Sequence, residues 1–137
     1  MLAVACFVVG GALTGAYLAV RHIATTTAID YANGDPHLGH AFEKIGADCI
    51  ARWHRLQGDE VWFLIGMDEH GQKVAQAAAA EQVSPQAYTD RIAARFAAMW
   101  DRLAISRDQF IRTTAPEHKA GVQELIERIF ERNPDDF

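Results

Sequence analysis

The sequence predicts a doubly wound α/β domain with a parallel sheet, of which it holds the first half, preceded by an apolar N-terminal helix. Three observations carry that expectation. Segments with strand character alternate with segments of helical periodicity in the order strand, helix, strand, two helices, strand, helix. Right-handed crossovers in such a series bring the three strands into one parallel sheet. The loops richest in turn residues and histidine both follow strands, at the carboxyl end of the sheet, where doubly wound folds bind their ligands.

The elements follow in order. Leu2–Val20 carries no charge and is followed by Arg21 and His22. As a helix it would extend about 28 Å, close to the thickness of a bilayer core. Gly11 and Gly15 have the small-residue spacing of packed membrane helices, yet no Lys or Arg precedes the run, as a signal peptide would require. A span here would start the first strand almost at the headgroups with no linker. The expectation is therefore a non-membrane extension over 1–21 and one domain over 22–137.

"HIATTTAI", His22–Ile29, is rich in β-branched residues and reads as a buried strand. Tyr31–Pro36 is its loop, with Asn33-Gly34 and Asp35-Pro36 as turn dipeptides. From His37 onward Leu38, Phe42, Ile45, Cys49, Ile50, Trp53 and Leu56 recur by threes and fours, an amphipathic helix that Gly58 is placed to end. "EVWFLIG", Glu60–Gly66, suits a parallel strand covered on both faces.

The loop "MDEHG" leads into an alanine-rich helix, Gln72–Gln82, and Ser84-Pro85 supplies an N-cap and first-turn proline for the next. That helix carries Tyr88, Ile92, Phe96, Met99 and Leu103 on one stripe. "DQFIRT" is the third strand. Thr114 and Glu117 form a capping box ahead of Val122, Leu125, Ile126, Ile129 and Phe130, and Asn133-Pro134 stops the last helix. Trp53, Trp62 and Trp100 lie on apolar stripes or in a strand and are expected in the core.

Half the residues are hydrophobic and 23% charged, a globular composition. With 18 acidic against 13 basic side chains, the surface as a whole does not suit nucleic acid. Cys6 and Cys49 make neither a disulfide framework nor a four-ligand zinc site, and fit a reducing compartment.

"PHLGH", Pro36–His40, sets two histidines on the first turn of a helix. Unpaired N–H groups and partial positive charge make that turn a phosphate site. Gly39 would let a flat ring lie against the backbone, and Pro36 fixes the entry angle. The same two imidazoles with Asp68, Glu69 and His70 also suit a metal ion, and a histidine at a helix start also serves as a plain cap. Spacing leaves all three readings open.

"PHLGH" after "YANGD" resembles the HIGH signature of the class I aminoacyl-tRNA synthetases. "GMDEHGQK" and "DQFIRTT", with His118 just after, resemble the methionine-specific branch, and the likeness runs from Ile23 to Phe137. The resemblance implies a Rossmann-like, HIGH-type nucleotidyl transferase fold, the N-terminal half of the catalytic domain, in a cytoplasmic ligase. It also implies ATP with Mg2+, activation of methionine to methionyl-adenylate, and transfer to tRNA(Met). By the same resemblance His37 and His40 contact the ATP phosphates as the catalytic pair, Gly39 leaves room for adenine and Asn33 helps hold ATP. Ala28, Ile29 and Tyr31 would shape the methionine pocket. Asp68 would pair with the substrate ammonium, with helix capping at Gly71-Gln72 as its alternative role, while Glu69 and His70 shape the turn.

No metal ligand is implied among these residues, and zinc is expected only in an insertion downstream. Asp30, where many relatives have proline, and Met67, where threonine is common, depart from the pattern at the pocket rim. The family's connective insertion, lysine loop and anticodon domain would all follow Phe137, so the isolated chain is expected to be incomplete for catalysis. The alternative function is a membrane-anchored or partner-dependent nucleotide-binding module without catalysis. Metal-dependent hydrolysis at His37, His40 and Asp68 is the rival enzyme class.

Overall fold

The computed structural model describes residues 21–132. The apolar stretch Leu2–Val20, with the helix expected there, and the Asn133-Pro134 stop lie outside them. The described elements are β1 (His22–Thr26), β2 (Asp30–Tyr31), α1 (Leu38–Leu56), β3 (Glu60–Asp68), α2 (Gln72–Ala80), α3 (Pro85–Arg102), β4 (Gln109–Arg112) and α4 (Pro116–Arg132).

β3 is the spine of a parallel sheet and pairs with β1, β2 and β4. Alternate residues of a strand send their backbone groups to opposite edges. The Phe63 and Met67 carbonyls accept from Asp108 and Thr113 on the β4 side, while the Glu60 N–H and Asp68 carbonyl bond Arg21 and Ala32 on the other. β1 and β2 therefore share one edge of β3, and β4 takes the opposite one. Between the pairs Thr26↔Leu64 and Asp30↔Met67, one chain advances by one residue more than the other. That extra residue makes Thr27–Ile29 a bulge, which splits the single strand expected over His22–Ile29. β3 itself runs two residues past its expected end, so Asp68 closes the strand rather than opening the loop.

Phe63, Ile65 and Met67 share one face of β3, and the core forms there with Ala51 of α1, Val74 and Ala78 of α2, and Tyr88, Ile92, Phe96 and Trp100 of α3. Trp100 is fully buried, its ring 5.8 Å from Phe96 and 4.8 Å from Phe110. The other two tryptophans correct the core expectation. Trp62, on the opposite sheet face, is 55% exposed and Trp53 is 60% exposed.

α1 also departs from the amphipathic expectation. It turns Ala41, Lys44, Asp48 and Ala51 inward and leaves Leu38, Phe42, Trp53 and Leu56 largely exposed. Small alanines permit close approach to the sheet, and the two inward charges are paired. Lys44 meets Asp30, while Asp48 accepts the Ser106 N–H at 2.8 Å and Arg52 Nε at 2.6 Å. Burial raises the Asp48 carboxyl, but hydrogen bonds from the Ser106 hydroxyl, from Arg52 and from the Ser106 N–H outweigh it and hold it below its usual range.

Three helices end alike. After α1, α2 and α3 the second residue past the cap returns its N–H to a carbonyl five residues back, as in Asp59 to His54, Val83 to Ala78 and Ile105 to Trp100. The left-handed residues in these motifs are Gly58, Gln82 and Ala104. Ser84 Oγ accepts the Ala87 N–H at 3.2 Å to start α3, as expected. α4 starts later than its expected capping box. Its first carbonyl acceptor is Ala115 and Pro116 is its first residue, while the Thr114 hydroxyl donates to Glu69 instead.

Candidate functional site

The site begins at the start of α1. His37 is the N-cap, in extended backbone, and its Nδ1 accepts the Gly39 N–H at 3.1 Å. Reciprocally, His40 Nδ1 accepts the His37 N–H at 3.1 Å. The rings stack with centroids 3.7 Å apart. A ring nitrogen that accepts carries no proton, so each neutral imidazole bears its hydrogen on Nε2. Histidine thus caps the helix here and remains a donor on its other nitrogen.

A Cβ at Gly39 would lie 3.0 Å from His37 Cε1, so the glycine also makes room for the folded-back ring. His40 packs edge-on against the core ring of Phe96 at 4.9 Å. Burial lowers its pKa, assisted by His37 and opposed by Asp30, whose Oδ1 is 4.0 Å from Nε2.

Asp30 links this pair to the strand ends. Its carboxylate is buried and takes Lys44 Nζ at 3.0 Å, yet desolvation outweighs that partner and pushes its pKa up. Its neighbour Tyr31 lies opposite Asp68 in the β2–β3 register, and the Ala32 N–H donates to the Asp68 carbonyl at 2.9 Å. Asp68 does not cap α2, whose N-cap Gly71 has no side-chain partner. Its Oδ1 accepts the His70 N–H at 3.2 Å.

A cleft of about 380 Å³ is lined by Tyr31, Asn33, His70, Gly71, Gln72 and Lys73. Ile29 leans over β3 at Gly66, where a Cβ would come within 2.5 Å of its Cγ2. A second cleft, about 640 Å³ between α1 and α3, is lined by His37, Arg95 and Arg102 among apolar side chains.

Below the loop, Glu69 is buried. It accepts Arg112 Nε at 2.6 Å and the Thr114 hydroxyl, and its N–H donates to Thr113 Oγ1 at 2.9 Å. This network anchors the turn, as expected of Glu69. The structure thus gathers Ala28, Ile29, Tyr31, Asn33 and Asp68 at the sheet's carboxyl edge, with His37 and His40 joined to them through Asp30. His37, His40 and Asp68 do not form a metal set. Among the described residues no three His, Cys, Asp or Glu side chains converge to hold an ion.

Sequence reasoning missed the roles of Lys44 and Glu43. Neither breaks a periodic pattern, and the fold alone brings Lys44 to Asp30 and Glu43 to the Ala28 N–H.

A parallel sheet with polar side chains at its carboxyl edge and a doubly capped helix start beside it defines a nucleotide-binding α/β domain. A family model described as "tRNA synthetases class I (M)" matches residues 23–134. The chain belongs to that family. It is 50% identical over 112 residues to the methionine–tRNA ligase of Deinococcus radiodurans, covering 81% of this chain and 16% of that protein. It is 47% identical over 110 residues to that of Thermosynechococcus vestitus, covering 80% and 21%. The Mycobacterium tuberculosis methionyl-tRNA synthetase in complex with methionyl-adenylate superposes with a TM-score of 0.77 at 49% identity, covering 80% of this chain and 21% of that one. The chain thus spans about a fifth or less of the length of these relatives.

Proposed function

We propose that residues 22–137 form the methionine- and ATP-facing half of a methionine–tRNA ligase active site. The supporting observation is the histidine pair at the start of α1, whose Nδ1 atoms each accept a backbone N–H, so that Nε2 of each neutral ring is the nitrogen left to donate. In the activation step a methionine carboxylate oxygen attacks the α-phosphorus of ATP. The new P–O bond forms as the bond to pyrophosphate breaks, and methionyl-adenylate results. No protein nucleophile takes part, so positioning and charge stabilisation supply the rate.

In this reading His37 and His40 donate to phosphate oxygens as charge develops, Gly39 lies under adenine, and Asn33 steadies the nucleotide. Asp68 accepts the substrate ammonium in a charge-assisted hydrogen bond. Ala28, Ile29 and Tyr31 contact the thioether chain. Mg2+ enters with the ATP phosphates, and tRNA(Met) is the acceptor of the second step. The exposed free thiol of Cys49 suits the cytoplasm, and no described helix is long and apolar enough to cross a membrane.

The test is calorimetric binding of a sulfamoyl analogue of methionyl-adenylate to the chain. We expect binding, at least about tenfold weaker binding of the leucyl analogue, and a loss of about tenfold or more in His37→Asn, because asparagine still caps but does not reproduce the imidazole donor. Equal affinity for both analogues, or an unchanged His37→Asn, would refute the proposal.

A further inference from the structure

We infer that Lys44 is a positioning residue for the amino-acid half of the site: its ammonium holds the bulge at Thr27–Ile29 against α1 and thereby sets Ile29 and Tyr31, the residues on either side of Asp30. The inference rests on the methionine reading above.

A bulge leaves backbone groups without ladder partners. Here α1 supplies them. The Ala28 N–H donates to Glu43 Oε1 at 3.0 Å, and the Ala28 carbonyl accepts from Lys44 Nζ at 3.1 Å. The same ammonium donates to Asp30 Oδ1 at 3.0 Å and to Glu43 Oε2 at 3.1 Å, which uses all three of its hydrogens.

The Lys44 side chain is fully buried and that of Asp30 is 3% exposed. Lysine is almost never fully buried without a partner, and of the other inward positions of α1 Asp48 is likewise paired, with Ser106 and Arg52, while Ala41 and Ala51 only pack. A position that only had to pack would take a residue of that kind. What the cation does instead is fasten three acceptors, and two of them, the Ala28 carbonyl and the Asp30 carboxylate, bracket Ile29.

The fit there is tight. A Cβ at Gly66 would meet Ile29 Cγ2 at 2.5 Å, so a shift of the bulge moves Ile29 over the sheet. Lys44 stands one helical turn after His40 on the same helix, so one rigid element holds the histidine pair and the bulge in fixed relation.

The experiment compares the chain with Lys44→Met and with the double variant Asp30→Asn/Lys44→Met, which leaves no isolated buried charge and so keeps the fold testable. Two quantities are read: hydrogen exchange of the Ala28 amide against that of the core residue Ile65, and calorimetric affinity for methionine and for ATP. In the double variant we expect Ala28 exchange to rise about tenfold or more with Ile65 unchanged. Methionine should bind about tenfold weaker and ATP within about threefold of the unaltered chain. A double variant that binds methionine like the unaltered chain overturns the positioning role and leaves the methionine site standing. An unaltered chain that protects Ala28 yet binds no methionine instead overturns the methionine reading, and the inference with it.

Discussion

His40 shows how a single side chain carries both structure and chemistry. Its Nδ1 caps α1 only while unprotonated, and burial already favours the neutral ring. Its pKa in the folded chain lies below the ordinary 6.5. Between those two values the unfolded chain binds a proton that the folded chain does not, so the stabilisation is complete above about pH 6.5 and is lost as pH falls through the lower value. Denaturant titrations of the chain and of His40→Gln, a non-titrating residue that still reaches back to the cap, should differ in slope against pH in that window. Identical profiles would show that the imidazole is not the titrating group. His37, Gly39 and His40 were legible because they adjoin in sequence and stand where a helix must begin. The Asp30–Lys44 pair was not, because the two are 14 residues apart on different elements. Asp30 showed only as a departure from the family pattern, with no sign of its partner.

The ends of the helices were legible wherever the sequence used the residue that the geometry favours. Gly58 marked the end of α1, and it sits at φ 83°. Gln82 and Ala104 close α2 and α3 in the same motif at φ 58° and 52°, without a glycine to signal it. A side chain there strains against the following carbonyl, a cost that glycine avoids. Gln82→Gly should therefore stabilise the chain by about 0.5–1 kcal/mol, net of the extra freedom gained by the unfolded state. Chemical denaturation checks this, and a fall in the midpoint would show that the Gln82 side chain contributes more than the backbone loses. The facing of α1 was misread for a related reason. Periodicity finds the apolar stripe of a helix but does not say which stripe meets the sheet. The inward stripe here is small and charged, and its charges are acceptable only because Asp30, Ser106 and Arg52 pair with them.

Across the whole molecule, one structural rule explains both the legible half of the fold and its open surface. β1, β3 and β4 are laid down in one direction across the sheet, and successive right-handed crossovers in one direction place their helices on the same face. The Phe63–Ile65–Met67 face is accordingly covered by α1, α2 and α3, while Trp62 looks out from the other. The site sits at the carboxyl edge because both of its loops leave strands there. The outer stripe of α1 adds Leu38, Phe42, Trp53 and Leu56, at 84%, 80%, 60% and 81% exposure. Large apolar side chains so exposed along one helix favour association over solvation. Sedimentation velocity over a concentration series should therefore show the average mass rising above the 15.2 kDa of one chain. Phe42→Lys/Trp53→Lys should stay at the single-chain mass with stability changed by no more than about 0.5 kcal/mol, since neither side chain is buried among the described residues. A chain that stays at 15.2 kDa throughout would mean that this stripe is stable in water on its own, and a double variant that unfolds would place Phe42 or Trp53 in the fold after all.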